Sequence, residues 1–206
     1  MGLFSIFRRE ERDVVPVAGL KAVVGLGNPG PEYSATRHNV GWWLLDALAE
    51  EWGLGRFRKE KNAAVASGRV EPFAVRLIKP LTYMNLSGQA VAPLRRMNAF
   101  DVSRNLLVVV DDAALPPGRV RFRPEGSAGG HNGLRSIEAT LGTRAYPRLR
   151  IGVGSPPPGA DLARWVLSPP SKADRQAILD LLPDLVEGVS VWMTEGIEAA
   201  MNRFNR

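Results

Sequence analysis

Residues 106–110 (LLVVV) form a continuous apolar run that is followed at once by Asp111 and Asp112. A run of this length without polar alternation is typical of a strand that is covered on both faces in a parallel sheet. Residues 21–27 (KAVVGLG) form a second such run, which ends in glycine. Residues 36–52 follow it and carry apolar side chains at helical spacing, so strand and helix alternate. This alternation predicts one α/β domain with a mixed sheet.

The remaining elements are predicted from apolar spacing and from turn residues. We expect a strand pair at residues 65–78 with a turn near Glu71-Pro72, an alternating strand at 120–123 and a strand at 149–154. We expect helices at residues 87–100, 132–141, 171–182 and from 183 to 202. Pro93 must kink the first of these helices or lie in its first turns.

The first 19 residues read as an extension of this domain. Their apolar part is short and is followed directly by charged residues, which argues against a secretory signal. Ile6 stands where a myristoylation motif requires Ser or Thr. The longest glycine-free apolar run, residues 106–110, is far shorter than the ~20 residues that span a bilayer. We expect residues 1–19 to be a flexible extension, residues 20–206 to be the single domain, and the protein to be cytoplasmic with no membrane contact.

The composition of the 206 residues excludes several kinds of site. There is no cysteine, which rules out a thiol nucleophile, a disulfide scaffold, iron–sulfur ligation and cysteine-based zinc sites. The two histidines are too few for a three-histidine metal site. Neither a Gly-x-Ser-x-Gly elbow nor a Gly-x4-Gly-Lys-Ser/Thr phosphate loop occurs.

Basic residues outnumber acidic ones, and their positions are informative. The net charge is +6. Arg119, Arg121 and Arg123 recur at every second position and would share one face of a strand. Further arginines follow soon after, at Arg135, Arg144, Arg148 and Arg150. Such a basic stripe is the electrostatic footprint of a nucleic-acid partner, although a genome rich in arginine codons would produce the same excess.

Both histidines lie in loops that suit a site. His38 follows the loop after the first predicted strand, and His131 follows Gly129 and a second glycine, which let a backbone approach a ligand closely. Asp111 ends the strand at 106–110, and ligands bind at the carboxyl ends of strands in α/β sheets. A carboxylate there can orient an imidazole as a general base. Purely structural histidines and a turn-forming aspartate remain the alternative.

Asparagines recur at the same predicted edge. They are Asn28, Asn85 and Asn132. Uncharged amides suit a polar, unionised group such as an ester or amide. Each asparagine has the alternative role of forming a turn.

Residues 25–30 (GLGNPG) match the Gly-x-Gly-x-x-Gly pattern of a nucleotide-dependent oxidoreductase. A dinucleotide site also needs a helix that starts within the glycines. Pro29 and Pro31 bracket the third glycine here, and the acidic residues about 20 positions on fall inside the predicted helix. The glycines are better explained as shaping a loop that presents Asn28.

Four motifs together resemble the bacterial-type peptidyl-tRNA hydrolase family. They are residues 23–41 (VVGLGNPGPEYSATRHNVG), 79–88 (KPLTYMNLSG), 109–118 (VVDDAALPPG) and 126–137 (GSAGGHNGLRSI). The resemblance runs from about residue 19 to the C-terminus in unbroken order. It implies a monomeric α/β fold, in which a mixed twisted β-sheet is flanked by helices. It also implies hydrolysis of the ester between a peptide and the 3′ end of tRNA, without cofactor, metal or obligate protein partner.

The resemblance also implies roles for individual residues. His38 would be the general base and Asp111 its support, while Asn28 would help to select N-blocked substrates. The implied substrate and tRNA contacts are Tyr33, Tyr83, Met84, Asn85, Asn132, Arg123 and Arg150, with Gly129 and His131 in the adjoining glycine loop.

This chain departs from the family pattern at Ala114, where an acidic residue often precedes Leu-Pro-Pro-Gly. A catalytically idle RNA-binding scaffold would keep the basic face and could keep the motifs, so it stays open as an alternative.

Overall fold

A computed structural model describes residues 19–205 and shows one seven-stranded sheet. The strand order is β2-β3-β4-β1-β5-β7-β6. The strands are β1 (Leu20–Gly25), β2 (Arg58–Glu60), β3 (Ala63–Val70), β4 (Phe73–Pro80), β5 (Leu106–Asp112), β6 (Val120–Arg123) and β7 (Arg148–Gly152). The central strands β4, β1, β5 and β7 are parallel, whereas β2, β3 and β6 run antiparallel to their neighbours. The predicted mixed sheet is confirmed. Except for Gly19, the predicted flexible extension lies outside the described residues.

Helices cover both faces of the sheet. They are α1 (Val40–Glu51), α2 (Gly88–Arg95), α3 (Val102–Asn105), α4 (Asn132–Leu141), α5 (Leu162–Val166), α6 (Lys172–Leu179), α7 (Leu182–Glu195) and α8 (Ile197–Phe204). Leu107 and Val109 pack against α1 and α7, while Leu106, Val108 and Val110 pack against α2 and α4. All five side chains are fully buried, which explains why this strand shows no polar alternation. No helix within residues 19–205 has the length and apolar character needed to cross a bilayer.

Several predicted boundaries differ from the observed ones. The predicted helix from 183 to 202 is two helices, because Gly196 between them has φ +93°, a left-handed conformation that ends α7. The helix predicted at 87–100 ends at Arg95, with Pro93 in its last turn rather than its first turns. The edge strand β2 was not predicted, since all three of its residues are exposed and give no apolar signal.

One close contact places the start of α1 at the carboxyl ends of the strands. A Cβ atom at Gly41 would lie 2.6 Å from the carbonyl oxygen of Leu26 and 2.9 Å from that of Val109. Only glycine allows the helix to approach the backbone so closely. The 3-10 turn Arg37–Asn39, which leads directly into α1, is thereby held beside the end of β5.

Candidate active site

His38 and Asp111 meet at the carboxyl edge of the sheet. His38 lies in the turn before α1, and Asp111 lies near the end of β5. The Nδ1 atom of His38 is 2.8 Å from Oδ1 of Asp111. The Asp111 side chain is 2% exposed and that of His38 is 11% exposed. The site therefore has a buried carboxylate behind an imidazole that reaches solvent.

His131 contacts the same carboxylate oxygen from the other side. Its Nε2 atom lies 3.1 Å from Oδ1 of Asp111, and the two imidazole centroids are 4.9 Å apart. As the N-cap of α4, its Nδ1 atom accepts the backbone N–H groups of Gly133 at 3.1 Å and Leu134 at 3.4 Å. A nitrogen that accepts hydrogen bonds carries no proton, so Nε2 carries the proton and donates to Asp111. The start of α4 thus holds His131 in one neutral tautomer.

The ionisation of Asp111 determines how His38 is arranged. Burial raises the pKa of Asp111, but the nearby imidazoles and their hydrogen bonds outweigh burial and hold the pKa well below its ordinary value. An ionised carboxylate only accepts hydrogen bonds. Nδ1–H of His38 therefore donates to Asp111, which leaves the lone pair of Nε2 available to accept a proton.

The same three residues offer a possible set of metal ligands. One ligand atom each from His38, Asp111 and His131 lies within 4.8 Å of the others. Metal binding at Nε2 of His131 would require its proton to move to Nδ1. Nδ1 already faces two backbone N–H donors, so that proton would have no acceptor. The hydrogen bonds of His131 therefore disfavour a metal at this position.

Asn28 is held rigidly by Asn39, the residue after His38, and by Met84. The side chain of Asn39 makes two hydrogen bonds to the backbone of Asn28. Its Oδ1 atom accepts from the N–H of Asn28 at 2.9 Å, and its Nδ2 atom donates to the carbonyl of Asn28 at 2.9 Å. Oδ1 of Asn28 accepts the N–H of Met84 at 2.9 Å. These contacts fix which way the amide points, and Nδ2 of Asn28 makes no hydrogen bond to any residue within 19–205. Sequence reasoning missed Asn39, although it directly follows His38 and shares the amide chemistry of the other candidates.

The glycine-rich loop at residues 25–30 is not built like a dinucleotide site. Gly30 leads into the 3-10 turn Pro31–Tyr33, and the first α-helix begins only at Val40. No helix N-terminus lies within the glycines to receive a pyrophosphate. The oxidoreductase alternative therefore lacks its central structural feature.

The other predicted substrate contacts differ in how far they are exposed to solvent. Tyr33 is half-buried and Met84 is buried, whereas Tyr83 is 65% exposed. Three further residues are exposed: Asn85 in the 3-10 turn Met84–Leu86, Gly129 in the glycine loop, and Asn132 at the start of α4. Gly129 has φ +58° and lies against the guanidinium of Arg150.

The arginines predicted to form one basic stripe are in fact divided between surface and interior. Arg121 and Arg123 are exposed on the edge strand β6, as their alternation predicted. Arg148 is wholly buried, so its assignment to a surface stripe was wrong. Its guanidinium stacks on Tyr146, donates to the carbonyl of Arg144 at 2.9 Å and faces Glu138 at 3.8 Å. A buried guanidinium needs such partners, and they exclude it from phosphate binding.

Arg150 is already engaged in the protein. Its Nη1 atom lies 3.1 Å from Oδ2 of Asp112, and its Nη2 atom donates to the carbonyl of Ser127 at 3.1 Å. These contacts join the end of β5 to the glycine loop that precedes His131. The role of Arg150 in phosphate binding stays a prediction.

Comparisons with known proteins identify the family of this chain. A family model described as peptidyl-tRNA hydrolase matches residues 22–206. A Symbiobacterium thermophilum protein named peptidyl-tRNA hydrolase is 50% identical over 187 residues, covering 90% of this chain and 98% of the relative. A protein of the same name from Gemmatimonas aurantiaca is 43% identical and covers 91% and 100%. The crystal structure of the Acinetobacter baumannii peptidyl-tRNA hydrolase superposes with a TM-score of 0.83 at 32% identity and covers 90% and 96%.

Proposed function

Because this chain belongs to the peptidyl-tRNA hydrolase family and is an enzyme of that activity, we propose that His38 is its general base and Asp111 the group that supports it. The observation that carries this proposal is the 2.8 Å contact between His38 Nδ1 and a buried, ionised carboxylate. That contact leaves the unprotonated Nε2 atom free of Asp111, and the His38 side chain is partly exposed to solvent, so Nε2 is the atom we propose to receive the proton of water.

The proposed step uses water as the nucleophile. His38 Nε2 takes a proton from a water molecule while the water oxygen attacks the ester carbonyl carbon. The bond between that carbon and the ribose oxygen then breaks, and the ribose oxygen receives the proton from His38. The products are a tRNA with a free 3′ hydroxyl and a peptide with a free carboxylic acid, which then loses its proton to solvent and becomes a carboxylate. An acyl ester is already activated, so the proposal includes no covalent intermediate, metal or cofactor.

Asn28 or Asn85, or a nearby backbone N–H, would stabilise the oxyanion that forms during attack. One such donor is typically worth ~10²–10³ in rate. Nδ2 of Asn28 suits this role because its orientation is fixed by Met84 and it has no competing partner within residues 19–205. We propose Tyr33, Tyr83, Met84 and Asn132 as the further contacts to the peptide and the 3′ end of tRNA.

We further propose that the enzyme acts as a cytoplasmic monomer that recycles tRNA from prematurely released peptidyl-tRNA. Turnover of N-acetyl-aminoacyl-tRNA by the purified chain, with no other protein present, tests this. An idle RNA-binding scaffold would bind the tRNA without releasing the N-acetyl amino acid.

Asn28→Asp is expected to reduce the preference for N-blocked substrates. Nδ2–H can donate to the carbonyl of a peptide bond but not to an ammonium, which only donates. A carboxylate reverses this preference, so the ratio of kcat/KM for N-acetyl- over free aminoacyl-tRNA should fall roughly 10- to 100-fold, as for a buried polar mismatch of ~1–3 kcal/mol. Asn98→Asp, at an exposed position, is the control. An unchanged ratio in Asn28→Asp would remove Asn28 from substrate selection.

Arg123→Ala is expected to weaken tRNA binding by removing one phosphate contact. Phosphate contacts position a nucleic acid without reading its sequence, so KM should rise similarly for different tRNAs. The slope of log(kcat/KM) against log salt should become shallower by about one. Arg58→Ala removes an equally exposed arginine from β2 at the opposite edge of the sheet and should leave the slope unchanged. The same slope in both variants would exclude Arg123 from the phosphate path.

A further inference from the structure

Arg37 directly precedes His38, yet its side chain points away from Asp111. The residue is 3% exposed. Its guanidinium stacks on the ring of Trp165 at 3.5 Å and donates through Nη1 to the carbonyls of Ser168 at 3.1 Å and Pro169 at 2.8 Å. Nη1 also donates to the hydroxyl of Ser168 at 2.7 Å, and the backbone N–H of Arg37 donates to the Ser168 carbonyl.

These partners belong to a segment that crosses the carboxyl edge of the sheet between β7 and α6. We call residues 153–171 the strap. At its start, the N–H of Val153 donates to the carbonyl of Asp112 at 3.1 Å, and the hydroxyl of Ser155 donates to that of Ala113 at 2.8 Å. The strap therefore begins against the chain that directly follows Asp111.

Beyond Ser155 the strap depends on Arg37. Residues 157–164 are all exposed. Within residues 19–205, every hydrogen bond that joins residues 156–170 to a residue outside the strap ends on Arg37. Inside the strap, the indole N–H of Trp165 donates to the carbonyl of Gly154 at 2.6 Å and links its two ends. Arg37 thus connects the turn that carries His38 to a segment anchored beside Asp111.

Within residues 19–205 no carboxylate forms an ion pair with Arg37, although the charge of Asp174 acts on it from a greater distance. An apolar side chain could pack against Trp165 at less cost than such a buried guanidinium. The guanidinium of Arg37 differs from an apolar side chain because its N–H groups reach the carbonyls of the strap in only one arrangement of the strap and the turn that carries His38. We propose, on the basis of the hydrolytic function proposed above, that Arg37 is a positioning residue for the reaction. It locks the turn against the strap, so that His38 keeps its alignment with Asp111 and with the attacking water.

Arg37→Ala tests this in the full-length chain. A misplacement of about 1 Å can cost ~10²-fold in rate, so we expect kcat on N-acetyl-aminoacyl-tRNA to fall roughly 10- to 100-fold while KM changes little. Arg37→Lys keeps a donor for one carbonyl but loses the planar stack, and kcat should be intermediate. Arg164→Ala removes the same charge from an exposed position on the strap and should leave kcat unchanged. Hydrogen exchange of residues 156–168 should accelerate in Arg37→Ala while the sheet stays protected.

Trp165→Ala gives an independent measurement if Arg37→Ala does not fold, because the indole belongs to the strap and not to either apolar core. Trp165→Ala should lower kcat to a similar extent. The double variant should be no slower than Arg37→Ala, since the two substitutions remove the same connection between the turn and the strap. The proposal would be overturned if folded Arg37→Ala or Trp165→Ala kept the kcat of the wild type. It would also be overturned if the effects of the two substitutions on kcat added fully in the double variant. Failure of the hydrolytic proposal itself would be seen separately, as absent turnover by the wild-type chain or unimpaired turnover by His38→Ala.

Discussion

His38→Ala is expected to lower kcat by about 10²- to 10⁴-fold, the usual contribution of a general base. The variant loses Nε2 of His38. Two imidazoles contact Asp111, and within residues 19–205 this is the only nitrogen of the two rings with an available lone pair, since Nδ1 of His131 accepts backbone N–H groups. Binding of tRNA should persist, because the predicted phosphate contacts Arg123 and Arg150 lie on β6 and β7 rather than on the turn that carries His38. Single-turnover rates and an equilibrium binding measurement on the same substrate separate the two effects.

His131→Ala is the matched control for this experiment. It removes the other histidine, whose Nε2–H donates to Asp111 and whose Nδ1 caps α4. Its loss of kcat should be smaller than that of His38→Ala, with part of its effect appearing as lower stability. If His38→Ala lost tRNA binding and turnover to the same extent, a base role for His38 would be refuted.

Asp111→Asn is expected to lower kcat by about 10²- to 10⁴-fold with little change in the fold. The carboxylate oxygen accepts from both imidazoles, and its charge would stabilise the imidazolium that forms when His38 takes a proton. A neutral amide lacks that charge, and its NH₂ group can impose the wrong tautomer on His38, an effect of about this size in the serine-protease triad. Asp112→Asn, whose carboxylate contacts Arg150 instead of a histidine, should lose less activity.

Asp111→Asn should also change how the free energy of unfolding depends on pH. The pKa of Asp111 is held below its ordinary value in the folded protein. Its ionised form therefore stabilises the fold above the unfolded-state pKa of ~3.9, and that contribution is lost as the pH falls toward the folded-state value. Urea unfolding between pH 7 and pH 3 should show this acid loss in the wild type and a smaller loss in Asp111→Asn. Parallel curves for the two proteins would contradict the strong ionisation of Asp111.

The approach of His38 and Asp111 was predictable from the chain because His38 lies in the connection after β1 and Asp111 lies near the end of β5, and these two strands are parallel neighbours. Parallel strands end at one edge of the sheet, so residues near their carboxyl ends come together even when they are 73 positions apart. The histidine after the glycine loop was recognised as a candidate in the same way. The second contact of His131 to Asp111, and its fixed tautomer, were not predictable because they depend on how α4 begins.

The arginines show where sequence patterns stop being informative. Arg121 and Arg123 follow an alternation that predicts exposure, and they are exposed. Arg148 belonged to the same cluster in sequence, yet it pairs in register with Arg123 at the start of the inner strand β7 and is buried. Spacing identifies which residues share a face, but whether a neighbouring strand, ring or carbonyl covers that face depends on residues far away in the chain.

The amino-acid sequence alone determined the α/β class, the strand that is buried on both faces, and the edge at which histidine and aspartate would meet. These follow from burial periodicity and from the geometry that all parallel strands share. Only the tertiary structure decided that His131 donates through Nε2, that Asn39 holds Asn28, and that Arg37 binds the strap. The first depends on hydrogen bonds at the start of α4, and the other two depend on contacts between separate segments of the chain. None of these contacts produces a periodic pattern in the sequence.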